Sequence, residues 1–333
     1  MFASLKTRVR AVALGAVIAL GLTPAMAQEV VTVGAFPDPG YDAIFWALEN
    51  GKVSDPGATL KIERVSSIPA LIQASMTQQF NLIPDGALAI PRLRESGVMV
   101  EVVATMMRFN PEGNAIDLWV TADSPIQTVE DLKGKTVAVV SAELPAIVYL
   151  RWAMAERHGM NADTVGGDVN WVEMPPAQFE TALETGKVDA VNFINADAYT
   201  LPMTGKYRSV IQGAKEVDEM FGAPMPGLFM LGYENELEAR PEAYAAAARI
   251  LAASAKYFVE NSQEVADIVA PQYNMSAEDL IGWFNAQTQM PMTLSEGDKV
   301  VLGKAWETAV KFGELEAAPG SVDAVIAAAA IIE

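Results

Sequence analysis

Four carboxylates and one guanidinium stand in short polar loops directly after apolar, strand-like runs: Asp38, Asp85, Glu143 and Asp197, with Arg108. The same loops carry Tyr41, Ser66, Ser67, Gly86, Asn110, Ser141, Leu144, Met174 and Asn195. Open α/β sheets hold ligands outside the carboxyl ends of their strands, so a binding site is expected from these residues. Buried charges need partners. A surplus of acids therefore favours a ligand that donates hydrogen bonds: an amine, an aminopyrimidine or another donor-rich group. A simple anion calls for more Arg, Lys or open helix starts. Helix starts after Ser66-Ser67 and after Glu143 still suit an anion, so a zwitterion fits both features.

Several of these residues have a plainer reading beside the functional one. Asp38 equally suits organising its own Pro/Gly turn. Ser66 or Ser67 suits capping the helix that follows, and Asp85-Gly86 suits a simple turn. Ile44, Phe45 and Leu48 form a helical stripe and belong to a core. Tyr41 stands at the start of that helix, where a ring can face a cleft. Trp119, Trp171, Trp283 and Trp306 read as packing residues. His158, the single histidine, falls in the last turn of a helix, where a cation suits the helix dipole.

The elements that must position these loops alternate. Val30–Ala35 reads as a strand that breaks at Phe36-Pro37-Asp38-Pro39-Gly40 into a helix. Leu60–Val65 alternates apolar and polar residues and yields to a helix with Ile68, Leu71, Ile72 and Ser75 at helical spacing. Phe80–Ile83, Val98–Met107 and Asp117–Thr121 are further strand candidates. A second series supplies Thr136–Ser141, Val169–Glu173 and Val188–Phe193. The helix after Ser141 has Pro145 near its start and Gly159 just past its end, the expected asymmetry. After Pro224-Met225-Pro226-Gly227 and the apolar run Leu228–Leu231 the pattern is helical, with capping boxes at Ser276 and Ser295. Boundaries near Thr121 and Ala223 predict a lobe of residues 28–121 plus 223–333, interrupted by a second lobe of residues 122–222.

Residues 1–27 read as a cleavable secretion leader. Lys6, Arg8 and Arg10 precede an apolar stretch too short to span a bilayer, and Ala25-Met26-Ala27 offers a small-residue cleavage site. Loss of the leader removes three basic residues and no acid, deepening the formal charge of −19 to −22. Such a chain is a poor partner for nucleic acid or anionic lipid. With 51% hydrophobic residues it has ample material for real cores. It has no Cys, which excludes disulfides, thiolate metal sites and Cys nucleophiles. One His excludes a multi-histidine zinc site, and no spacing singles out a carboxylate pair for hydrolysis. A non-enzymatic, periplasmic protein without metal or cofactor is expected, monomeric in solution.

The order of these features resembles a known family. The exported leader is followed by the Val30–Ala35 strand running into Pro37-Asp38-Pro39-Gly40-Tyr41. Then come Asp131-Leu132-Lys133-Gly134-Lys135, Ala182-Leu183-Glu184-Thr185-Gly186-Lys187-Val188-Asp189-Ala190, and Pro241-Glu242 opening a long helix. In this the chain is similar to the substrate-binding proteins of ABC importers for sulfonates, taurine, nitrate and thiamine-precursor pyrimidines, the SsuA/THI5-like or NMT1-like family. The resemblance spans nearly all of the chain after the leader. It implies a type II periplasmic binding fold: two α/β lobes joined by two hinge crossings and closing over a ligand. It also implies delivery to a membrane permease and its ATPase. Within that implication an aminopyrimidine or other nitrogen-containing ligand comes first, and taurine or an aliphatic sulfonate is the alternative. A sensory binding protein is a third possibility. Cytoplasmic relatives that synthesise pyrimidines consume their own His and use a Cys-rich iron site. This chain has a leader and no Cys, so that reading fits poorly.

Overall fold

The computed structural model describes residues 28–66 and 68–333. The leader expected over 1–27 and the ligand candidate Ser67 lie outside them. The first run comprises β1 (Glu29–Ala35), α1 (Pro39–Glu49), β2 (Ala58–Arg64), α2 (Ile68–Met76), β3 (Leu82–Asp85), α3 (Ala89–Glu95) and β4 (Val100–Phe109). The second comprises β5 (Leu118–Thr121), β6 (Thr136–Val139), α4 (Pro145–His158), β7 (Asn170–Glu173), α5 (Phe179–Glu184), β8 (Ala190–Val191), α6 (Asn195–Met203), β9 (Tyr207–Ile211) and α7 (Gly213–Phe221). The chain closes with β10 (Pro226–Tyr233), α8 (Glu234–Ala239), α9 (Pro241–Glu260), α10 (Ser262–Val269), α11 (Ala277–Gln287), β11 (Thr288–Gln289) and α12 (Glu296–Lys311).

Two mixed sheets result. One runs β11-β4-β10-β3-β1-β2 and the other β7-β6-β8-β5-β9. β1 is parallel to β2 and β3, which puts the loops after β1 and β3 side by side at one sheet edge. β5 pairs antiparallel with β8 and β9, so Leu118–Thr121 belongs to the second sheet although it precedes the boundary expected at 121. An apolar LWVT run reads alike in either sheet, and only its pairing decides. The chain thus crosses between sheets at 110–117 and returns at 222–225. β9 and β11, short and without clear alternation, have no counterpart among the strands expected from sequence.

Local signals placed the helices well. Asp38 N-caps α1, Ser276 caps α11 and Ser295 caps α12 with a capping box. Pro145 opens α4, and Gly159 ends it in the left-handed region at φ 61°. Tertiary packing made the larger surprise. Val148, Tyr149, Trp152 and Ala153 of α4 share one buried apolar cluster with Ala214, Val217 and Phe221 of α7. The same cluster includes Leu302, Ala305 and Trp306 of α12 and Phe229 and Leu231 of β10. The two lobes are therefore joined by an apolar core as well as by two crossings.

Asp117 stands at the end of the first crossing, and only 3% of it is exposed. Its Oδ1 accepts from the Gly213 N–H at 2.9 Å, and its backbone carbonyl accepts from Asn192 Nδ2 at 3.0 Å. Burial pushes its carboxyl from the ordinary 3.8 up to about 7. The native state then binds more protons here than the unfolded chain between about pH 4 and pH 7. This group's contribution to stability is greatest below pH 4 and falls as pH rises to 7. Asp117→Asn keeps the acceptor for Gly213 and removes that slope. Urea unfolding of both proteins at pH 4.5, 6 and 8 is expected to show the variant gaining on the parent as pH rises. Parallel curves would mean the carboxyl titrates normally.

Candidate functional site

Asp38 and Asp85 stand at the ends of neighbouring strands of the first sheet, and Ser141, Glu143, Asn195 and Asp197 stand in loops and helix starts of the second lobe. At the end of β1, Asp38 has extended backbone and turns its carboxylate back onto α1. Its Oδ1 accepts from Gly40 N at 2.9 Å and Tyr41 N at 3.1 Å. The side chain thus organises its turn, as one reading anticipated, and in doing so is left 5% exposed. Burial raises the carboxyl to about 6 against the pull of those two N–H groups. Tyr41 is buried, its ring edge-on to Phe36 at 5.2 Å. Burial, and secondarily Asp38, hold its hydroxyl well above the usual phenol range. Gly40 sits beneath Trp283 and Met290: a Cβ there would lie 2.7 Å from Trp283 Cη2 and 2.8 Å from Met290 Cε. Trp283 and Met290 thus pack on the turn that the Asp38 carboxylate organises.

At the end of the neighbouring β3, Asp85 Oδ1 accepts from Gly86 N at 2.7 Å. Burial lifts this carboxyl as well, to about 6, and the charge of Arg92 offsets only part of the rise. Gly86 lies against Pro145 of the second lobe, where a Cβ would stand 3.2 Å from Pro145 Cβ. This contact brings the loop after β3 onto the loop between β6 and α4. Ser66 is exposed in the bend after β2.

In the second lobe, Ser141 Oγ donates to Glu173 Oε1 at 2.8 Å, and Ala142 N donates to the same oxygen at 2.8 Å. Glu143 N donates to Ser141 Oγ at 3.3 Å, while the Glu143 carboxylate is exposed, 3.9 Å from Arg92. Asn195 and Asp197 are exposed in the first turn of α6, Asn195 with a left-handed backbone at φ 50°. Partial burial raises the Asp197 carboxyl, and Glu180 adds to the rise.

Four candidates are committed elsewhere. Arg108 is not an open base: its Nε donates to Asp298 Oδ1 at 2.6 Å and its Nη2 to Asp298 Oδ2, in a buried two-pronged pair. Asn110 binds the first crossing to the end of α11. Its Nδ2 donates to Ala286 O at 3.1 Å and its backbone N to Gln287 O at 3.0 Å. Leu144, the residue before α4, packs on the second lobe's core, and Met174 packs on the cluster of Phe179 and Phe193. Conversely, Phe36, Met290 and Glu173 were not singled out, and Trp283 was read as a packing residue. Glu173 ends a strand and was reachable by the same strand-end argument. Trp283 and Met290 lie mid-chain in α11 and after β11, and nothing local signals that they cover Gly40.

The chain's relatives accord with this layout. A model of NMT1/THI5-like proteins matches residues 85–265, more than half of the chain. The chain belongs to the NMT1/THI5-like family. No curated protein sequence matches it. Among solved structures it is similar to the periplasmic aliphatic sulphonate-binding protein SsuA of Escherichia coli, with 15% identity and a TM-score of 0.68 over 90% of this chain and 92% of that one. It is also similar to the alkanesulfonate-binding SsuA of Xanthomonas axonopodis pv. citri bound to MOPS, with 19% identity and a TM-score of 0.62 over 92% and 100%. A protein of Archaeoglobus fulgidus matches with 18% identity and a TM-score of 0.67 over 86% and 98%. At such identities the likeness speaks for the fold, and the NMT1/THI5-like chain has the periplasmic binding protein fold.

Proposed function

We propose that this protein is the periplasmic solute-binding subunit of an ABC importer. It captures a small nitrogen-containing organic molecule, an aminopyrimidine first, between its lobes and hands it to a membrane permease with its ATPase. It acts as a single chain and performs no chemistry on the ligand. The family and the binding-protein fold support the class. One observation carries the ligand assignment: Asp38, buried, and Asp85, partly buried, are carboxyls on adjacent strand ends held near 6, while Arg108, the only base expected among the candidates, is neutralised by Asp298. Carboxyls that stay raised, Asp38 with no base among its causes and Asp85 with Arg92 offsetting only part of the rise, suit a ligand that brings donors or a positive charge. The loop before α4, a natural place for an anion, has two of its donors taken by Glu173. The sulfonates named for the two SsuA proteins above support taurine or an alkanesulfonate as the second reading.

The two readings diverge with pH. A donor ligand needs the carboxylates ionised, so its affinity should rise as pH passes through about 6. From pH 5 to 7.5 the expected gain is about tenfold per carboxylate engaged. A simple anion should bind no better at the higher pH. Calorimetry with aminopyrimidines, alkylamines, taurine and methanesulfonate at both values checks this. Binding of methanesulfonate alone would overturn the ligand assignment and leave the binding-protein class standing.

A further inference from the structure

The loop between β6 and α4 meets the first lobe where Gly86, next to Asp85, lies against Pro145. An anion beside Asp85 would look to this loop for donors, and each donor of the loop can be followed to its partner. The Ala142 N–H donates to Glu173 Oε1 at 2.8 Å. The Ser141 hydroxyl gives its single proton to the same oxygen, also at 2.8 Å. The Glu143 N–H turns to Ser141 Oγ and the Leu144 N–H to Ser141 O, both at 3.3 Å. Pro145 has no N–H to give. The N–H groups of Ile147 and Val148 both go to Leu144 O, at 2.9 and 3.0 Å. Among the described residues, only the Ala146 N–H of this stretch is left without a partner. The sheet brings Glu173 to this position. β6 and β7 are parallel, and Glu173, the last residue of β7, stands opposite Val139, the last of β6. Its carboxylate therefore lies over the loop that follows β6, with two donors converging on one oxygen as they would on an oxygen of a sulfonate.

We propose that Glu173 is a specificity-determining residue: its carboxylate is a resident anion that fills the donor pair of Ser141 and Ala142 and keeps sulfonates and other simple anions out. A sulfonate that leaves water must find hydrogen bonds in the cleft or lose those it had. Here it would have to displace Glu173 first, and would then share the loop with a like charge. A ligand that brings donors asks nothing of these groups and meets no such opposition. The inference deepens the proposed preference for a donor-rich ligand and rests on that reading.

Glu173→Ala vacates both donors. Calorimetry at pH 7.5 compares parent and variant with methanesulfonate and with an aminopyrimidine. The ratio of the two affinities is expected to move at least about tenfold toward methanesulfonate, the scale of one recovered hydrogen bond to a charged group. Adding Ser141→Ala should remove most of that gain, because the anion then loses the hydroxyl. Glu173→Gln keeps an oxygen for both donors and removes only the charge. Its shift is expected in the same direction and smaller, and it decides the matter if the emptied loop fails to fold. A residue that merely props the loop would weaken both ligands alike when replaced. An unmoved ratio in the folded variants therefore overturns the proposal. A gain that survives Ser141→Ala undiminished overturns it too, since the anion would then sit elsewhere. The ligand assignment is judged on the parent alone, by which of the two compounds it prefers. It can fail while the difference between parent and variant stands, and the difference can vanish while the preference stands.

Discussion

Asp298→Ala is expected to lower the unfolding free energy by about 3–5 kcal/mol, the scale for removing one partner of a buried ion pair. Asp298 is 1% exposed and Arg108 9% exposed. Without the carboxylate, the guanidinium keeps its charge in a site that, among the described residues, offers it only Glu333, at 3.7 Å. Asp298 also accepts from Thr105 Oγ1 at 2.9 Å and from Ser295 N at 2.8 Å, closing the capping box of α12. All of these bonds go at once. The double variant Arg108→Met with Asp298→Leu should recover much of the loss, because a packed apolar pair has no charge to strand. Denaturant unfolding measures both. A single-variant loss below about 1 kcal/mol would mean the pair is solvated and worth what a surface bridge is worth.

Trp152→Ala is expected to cost about 3–5 kcal/mol, as for other fully buried tryptophans. Its particular effect lies in cooperativity. Trp152 is 2% exposed. It meets Tyr149 edge-on at 5.2 Å, stacks on Phe312 and donates to Glu314, so it fastens the second lobe to the first. Two lobes joined by weak contacts unfold separately, and two-state behaviour fails. Calorimetric unfolding of the parent is expected as one transition, and that of Trp152→Ala as two. A single transition shifted downward would place the coupling of the lobes in the crossings instead.

Much of the fold was legible because it is written locally. A strand that runs into Pro37-Asp38-Pro39 ends there, since proline has no N–H to continue a ladder. Asp38, Ser276 and Ser295 cap helices with oxygens that reach N–H groups two or three residues on. The two changes of sheet along the chain were visible as breaks in the α/β rhythm, although the strand at 118–121 fell on the far side of the first break. That Asp38 and Asp85 stand at the carboxyl ends of β1 and β3 was legible from position, because each comes at the end of an apolar run.

Other parts were beyond any local pattern. Arg108 reads from its own neighbourhood as a free base at a strand end. Its partner Asp298 lies 190 residues away, and only the approach of α12 to β4 brings them together. Trp152 reads as one apolar residue on a helix face, and nothing near it says that the opposing surface belongs to the other lobe. The sequence by itself determined the α/β alternation, the helix ends, the family and the acidic character of the strand-end loops, since each follows from residues close together in the chain. Tertiary structure alone decided which charges are paired and which apolar surfaces join the lobes, because burial and pairing depend on surfaces that meet only after folding.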